Sequence, residues 1–117
     1  MVERTPDKEF FTKAVGVTKC NPDGSSRQDI IACCKIGEDL ELIHQPNNRH
    51  DPNAIAVHRR KTGEQIGFLN RDLASDLVRD GAAGQQFSAE ISGLTGGGFF
   101  AKKTRGVNIK IGIYRPQ

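Results

Sequence analysis

The stretch Pro46-Asn47-Asn48-Arg49-His50-Asp51-Pro52-Asn53-Ala54-Ile55-Ala56-Val57 restricts the chain more than any other. Its first half is excluded from helix and sheet alike. Two prolines, three asparagines and an aspartate fall within eight residues. Proline lacks the backbone donor, and Asn and Asp side chains bond their own backbone in turns. The second half, Ala54 to Val57, is apolar and runs directly into a strand. Upstream, Leu40 to Gln45 reads as another strand, with Leu40 and Leu42 on one face and Glu41 on the other. A polar loop is therefore clamped between two strands, and loops held by a sheet are where binding groups sit. Asn47, Asn48, Asp51 and Asn53 each have two readings, as turn-forming groups or as ligand-facing groups.

The rest of the chain supplies short strands around this loop. Phe10 to Lys19 alternates as a first strand, with Phe11, Val15 and Val17 expected on one face. Residues 1–8 are polar and are expected to be a disordered tail, leaving 9–117 as a single domain. After the turn Asn21-Pro22-Asp23-Gly24, Ser25 with Gln28 makes a capping box for a short helix, which carries Ile30, Ile31 and Cys34 and ends at Gly37. Ala54 to Arg60 and Gln65 to Leu69 read as a hairpin through Lys61-Thr62-Gly63-Glu64. Asn70 caps a helix over Arg71 to Asp80, and Gly81 is placed at its C-terminal end. Phe87 to Leu94 alternates as a fifth strand, Gly96-Gly97-Gly98 makes a tip, and Val107, Ile109, Ile111 and Ile113 form a period-two sixth. This order predicts a mainly β (α+β) fold, a small six-stranded antiparallel barrel of OB-like or SH3-like type with two short helices.

Composition excludes several functions. A chain of 117 residues, 36% apolar, has room for one modest core. No apolar run is long enough to span a membrane, and MVERTPDKEF has no apolar signal-peptide core, so a cytoplasmic protein is expected. Cys20, Cys33 and Cys34 are odd in number and include an adjacent pair, which suits a reducing compartment rather than a disulfide framework. Together with His44 they lack zinc-site spacing, so no metal or cofactor is expected. Positive charge is concentrated at one end. Residues 91–117 hold Lys102, Lys103, Arg105, Lys110 and Arg115 with no acid. Such an edge suits a polyanion.

The chemistry that remains is binding chemistry. Single-stranded nucleic acid needs cations for phosphate and flat groups for bases. Lys19, Arg49, Arg71, Lys102, Lys103 and Arg105 can supply the first, and His50, Phe68, Phe99 and Phe100 the second. Asn48 and Asp51 add hydrogen-bonding groups, and a carboxylate suits a terminal hydroxyl better than a phosphate. Phe68 has a second reading as a core residue. His44 and His58 are placed on neighbouring strands as a cross-strand pair. His50-Asp51 alone does not make a hydrolase, and Gly93 to Gly98 lacks the lysine and helix of a phosphate loop. No enzyme is expected.

The loop, together with Val15-Gly16-Val17-Thr18 and Gln65-Ile66-Gly67-Phe68-Leu69-Asn70-Arg71-Asp72-Leu73-Ala74, resembles the signature of the HIRAN domain family over about residues 11 to 95. The resemblance implies an OB-like barrel, found alone or attached to helicases, nucleases and fork-remodelling ATPases, and in some members binding the 3′ end of single-stranded DNA. It places the end pocket at His50-Asp51, with Thr18 and Lys19 on the first strand, Phe68 after Ile-Gly, Arg71 at the helix start, and Phe99 or Phe100 on the last connection. His50 stands where the family carries Tyr, and Lys19 where an aromatic is common. Two functions follow as expectations. The first is a single-stranded DNA or 3′-end binding module in repair or stalled-fork processing. The second is an adaptor docking on a helicase or nuclease.

Overall fold

The computed structural model describes residues 4–98 and 104–116. Its spine is the antiparallel ribbon of β5 (Gln86–Thr95) and β6 (Gly106–Tyr114). The period-two pattern explains β6, since Val107, Ile109 and Ile111 all turn inward and are fully buried. β1 (Lys8–Lys13) lies antiparallel on the other edge of β6. β2 (Asp39–His44), β3 (Ile55–Arg59) and β4 (Gln65–Phe68) continue the sheet in the order β1-β6-β5-β2-β3-β4. β2 shares only the pairs Asp39–Glu90 and Leu40–Ala89 with β5, so the sheet splays there. It curls until its outer edges meet. Val15 and Phe68 exchange backbone hydrogen bonds of 2.8 and 2.9 Å, joining the end of the first segment to β4. The expected mainly β, OB-like architecture with six antiparallel strands and two short helices is the one found.

Gly67 makes the closure sterically feasible, because a Cβ there would stand 2.6 Å from the Val15 carbonyl oxygen. α1 (Arg27–Ile31) and α2 (Arg71–Ala82) bury Ile30, Ile31, Ala74 and Leu77 in the same core as Leu40, Val57, Ile66 and Ile91. Asn70 caps α2 as expected, its Oδ1 accepting the Leu73 N–H at 2.9 Å.

Several local expectations are corrected. The first strand stops at Lys13, and the chain turns at Gly16, whose φ of 68° ends the period of two. Phe10, not Phe11, packs on the core, and Phe11 is 70% exposed. The strand starts at Lys8, and the Asp7 N–H donates to the Ile113 carbonyl at 2.8 Å, within the segment expected as a tail. Ser26 caps α1 through the Asp29 N–H, and Gln28 reaches away from the cap. Gly81 lies inside α2, where Ala83 is the C-cap, and Gly84 takes the positive φ. His44 stands opposite Ile55 and His58 opposite Glu41, so the histidines do not pair.

One buried ion pair ties the α1–β2 connection to β3. Arg59 Nε donates to Glu38 Oε1 at 2.5 Å, both side chains being almost wholly buried, and Glu64 adds a contact at 3.3 Å. Cys34 beside them is buried, and burial pushes its thiol up to about 11, so it acts as a small apolar residue. Cys33 is exposed.

Candidate nucleic-acid interface

The Pro46–Asn53 loop is fixed by its own side chains. Gln45 N–H donates to the Ala54 carbonyl at 2.8 Å and closes its base. Asn48 Oδ1 accepts from the N–H groups of His50 at 2.9 Å and Asp51 at 3.1 Å, and its Nδ2 donates to Gln45 Oε1. Asp51 Oδ1 accepts the Asn53 N–H at 2.9 Å. His44 Nε2 lies 2.8 Å from the Pro52 carbonyl oxygen. Asn48 is thereby committed to the turn, as the Asx chemistry of the sequence allowed. Asp51 is only half committed. Its Oδ2 looks across to Arg71 Nε at 3.9 Å, with Asp51 18% and Arg71 79% exposed.

Between loop, closure and helix lies an open depression of about 360 Å³. Asn48, His50 and Asp51 form one wall, Phe68 and Arg71 the other, and Val15, Ala54 and Leu69 an apolar floor. Five residues singled out in the sequence are thus brought together. Arg71 occupies the first position of α2, where a cation opposes the helix dipole by a few tenths of a kcal/mol, about 0.3–1 at most. The Asp51 carboxylate is the acidic group facing it.

Other expected residues sit elsewhere. Arg49 is exposed on the loop and does not line the depression. Thr18 and Lys19 are exposed in the turn after Gly16, with the Lys19 N–H donating to the Gly16 carbonyl at 3.2 Å. Arg105 is half-buried at the base of the β5–β6 connection. Its N–H donates to Gln28 Oε1 at 2.8 Å, and its carbonyl accepts from Gln28 Nε2, which also bonds the Val17 carbonyl. Gln28 therefore pins that connection beside the Thr18–Lys19 turn. Phe99, Phe100, Lys102 and Lys103 lie outside the described residues.

Sequence reasoning missed Arg27. Its guanidinium lies over the Phe68 ring, 5.2 Å from the centroid. A usable signal existed: Arg27, Ile30 and Ile31 are spaced i, i+3, i+4 and share the buried face of α1. Phe68 accordingly combines both of its readings, partly buried against Arg27 and partly lining the depression.

A larger groove of about 670 Å³ crosses the outer face of β1, β5 and β6. Lys110 Nζ lies between two of its carboxylates, 2.9 Å from Glu90 and 3.4 Å from Glu9. Tyr114 bonds Ser88 and carries the Arg4 guanidinium over its ring. Among the described residues, none of the candidate DNA-binding groups lines it, although Lys110 of the basic C-terminal end does. Among the described residues, no group of three or more His, Cys, Asp and Glu is arranged to hold a metal, and no helix is long and apolar enough to cross a membrane.

The geometry of loop, Ile-Gly strand and capped helix has a counterpart in known proteins. The HIRAN domain profile matches residues 7–89, more than half of the chain. The chain belongs to the HIRAN domain family. Among solved structures, the HIRAN domain of human HLTF superposes with a TM-score of 0.65 at 21% identity, over 93% of this chain and 77% of that one. A protein from Lactobacillus plantarum superposes with a TM-score of 0.64 at 14% identity, over 92% of this HIRAN chain and all of the other. Both likenesses concern the fold. No curated protein sequence matches the chain.

Proposed function

We propose that this HIRAN domain is a DNA-binding module that takes the 3′ end of a single strand into the depression between Asp51 and Arg71. The observation that carries the reading is this pairing of a carboxylate and an exposed guanidinium across an apolar floor beside Phe68. Arg71 can bind a backbone phosphate, for which its planar fork is suited. Asp51 Oδ2 can accept a hydrogen bond from a terminal hydroxyl and repels a phosphate. Phe68 and His50 offer flat surfaces to the last base. Arg49, Lys19 and Arg105 are outlying cations for the rest of the bound strand, and Lys102 and Lys103, close to Arg105 in sequence, are proposed to add to them. A place in repair or stalled-fork processing fits the family resemblance. The domain is read as a binding module and not as an enzyme.

The test is a titration of labelled single strands ending in a 3′-hydroxyl or a 3′-phosphate, at several salt concentrations. Tighter binding of the hydroxyl end is expected, with affinity falling steeply as salt rises because phosphate contacts release counterions. No binding at low salt to either end rules the proposal out. One observation favours the second reading, docking on a helicase or nuclease. Phe11 projects from β1 with 70% of its surface exposed, and a large apolar side chain of this kind can anchor a partner. Salt-insensitive capture of such an enzyme, abolished in Phe11→Ser and accompanied by no oligonucleotide binding, is the outcome that selects it.

A further inference from the structure

Arg27 is the one buried cation in the described residues without an acidic partner. Its side chain is 5% exposed, as is that of Arg59. Arg59 is paired with Glu38 and Glu64, whereas none of the ion pairs includes Arg27. Its hydrogen bonds go to neutral oxygens, Nε to Asn21 Oδ1 at 2.7 Å and Nη1 to the Gly16 carbonyl at 2.8 Å. Withdrawal from water holds the guanidinium below its ordinary value, yet an arginine remains charged at neutral pH. A desolvated cation with no counter-charge is costly, and a neutral amide could make the same two bonds. Beyond those two oxygens, the guanidinium faces the Phe68 ring, 5.2 Å from its centroid. Gly16 is fitted around the pair, since a Cβ there would lie 3.3 Å from Arg27 Nη1 and 3.7 Å from Phe68 Cδ2. Phe68 lines the depression and Arg27 does not.

We propose that Arg27 is a positioning residue which, by holding the Phe68 ring against a fixed cation, sets the surface on which the terminal base of a bound strand stacks. The arrangement is preformed. Asn21 receives Arg27 and anchors it to β4 through Nδ2, which donates to the Gln65 carbonyl at 3.0 Å. The cation is therefore in place before any ligand arrives, and a ring held against it loses less entropy on binding. A cation over one side of a ring also draws electron density toward itself, which favours stacking on an electron-rich base.

The binding arm of the test rests on the nucleic-acid reading above; the arm on the free protein does not. In the free protein, NMR of the Phe68 ring is compared between wild type, Arg27→Met and Arg27→Lys, with the Val57 and Ile109 methyls as controls of folding. The ring resonances should shift and broaden in Arg27→Met while those methyls stay in place, and Arg27→Lys should restore them in part. In the binding arm, strands ending in a normal nucleotide and in an abasic one are titrated against wild type, Arg27→Met, Phe68→Ala and the double variant. Arg27→Met should weaken the base-bearing strand about five- to tenfold, less than the full worth of a desolvated cation–ring contact because the ring itself remains, and leave the abasic strand nearly unchanged. In the Phe68→Ala background the same change should add nothing. Unmoved Phe68 resonances in a folded Arg27→Met protein overturn the proposal. Equal weakening of both strands, additive with Phe68→Ala, does the same. Should Arg27→Met fail to fold, Arg27→Lys is compared alone, and an unshifted ring with unchanged base preference is then the refuting result. If wild type binds neither strand, the DNA reading falls and the ring resonances still decide the role of Arg27.

Discussion

Asp51 divides its carboxylate between two tasks, and the division can be separated experimentally. Oδ1 holds the Asn53 N–H, whereas Oδ2 faces Arg71. Asp51→Asn keeps an acceptor for the turn and removes the charge. It should melt close to wild type and lose the preference for a 3′-hydroxyl over a 3′-phosphate, as read by thermal unfolding and by titration of the two strands. Asp51→Ala removes both, and should also lose about 1 kcal/mol of stability, the scale of one such side-chain to backbone bond. An Asp51→Asn protein that still favours the hydroxyl end contradicts the assignment. Arg71→Ala should weaken all single strands alike and lower the salt slope by about 0.7 for each phosphate the protein no longer neutralises.

At the level of elements, two connections tie separate parts of the sheet together. Glu38 and Arg59 join the α1–β2 segment to β3. Burial pushes the Glu38 carboxyl upward, but the Arg59 hydrogen bond, the Lys35 N–H and the charges of Arg59 and Lys61 together outweigh it and hold the group below its ordinary 4.5. A depressed carboxyl contributes stability above its unfolded value, and that contribution is lost as pH falls through the folded one. Stability should therefore be flat near neutrality and fall from about pH 4.5 downward. Glu38→Gln should start less stable at pH 7 and show a shallower acid loss, measured by denaturant unfolding across pH. The second connection is the base of the β5–β6 hairpin. Gly96 has φ 74°, and a Cβ there would stand against the Thr104 carbonyl. Gly96→Ala should cost at least about 1 kcal/mol through strain at a left-handed position. It should also loosen the hold of Gln28 on Arg105, seen as faster amide exchange at Arg105.

For the whole molecule, closure of the sheet and assembly of the depression are one event. The Val15–Phe68 bridge joins the edges, and both residues line the depression. Gly67→Ala would place a Cβ against the Val15 carbonyl, so the edges should part. The expected result is a fall in unfolding free energy of roughly 1–3 kcal/mol, as for other overpacked sites, together with loss of strand binding. By contrast Ile109→Ala, at the centre of β6 and away from the depression, should cost about 2–5 kcal/mol while a folded fraction still binds. Unfolding curves and titrations on both variants separate closure from bulk stability.

Patterns of short range were legible in the sequence because they are set by local chemistry. The loop between β2 and β3 followed from proline and Asx residues, β6 from alternating Val107, Ile109 and Ile111, and the start of α2 from Asn70. The loop, the Ile-Gly strand and the helix start together also carried the family, and they contain His50, Asp51, Phe68 and Arg71, which line one depression. What the sequence could not set were choices that depend on distant partners. Phe10 and Phe11 are equal in chemistry, and only pairing with β6 turned one inward. Gln28 had the spacing of a capping box, yet the Val17 and Arg105 carbonyls, brought close by the curl of the sheet, drew it away. Arg27 was one cation among many until the Val15–Phe68 closure set Phe68 beside it, because burial and ring contact are properties of three-dimensional proximity and not of residue order.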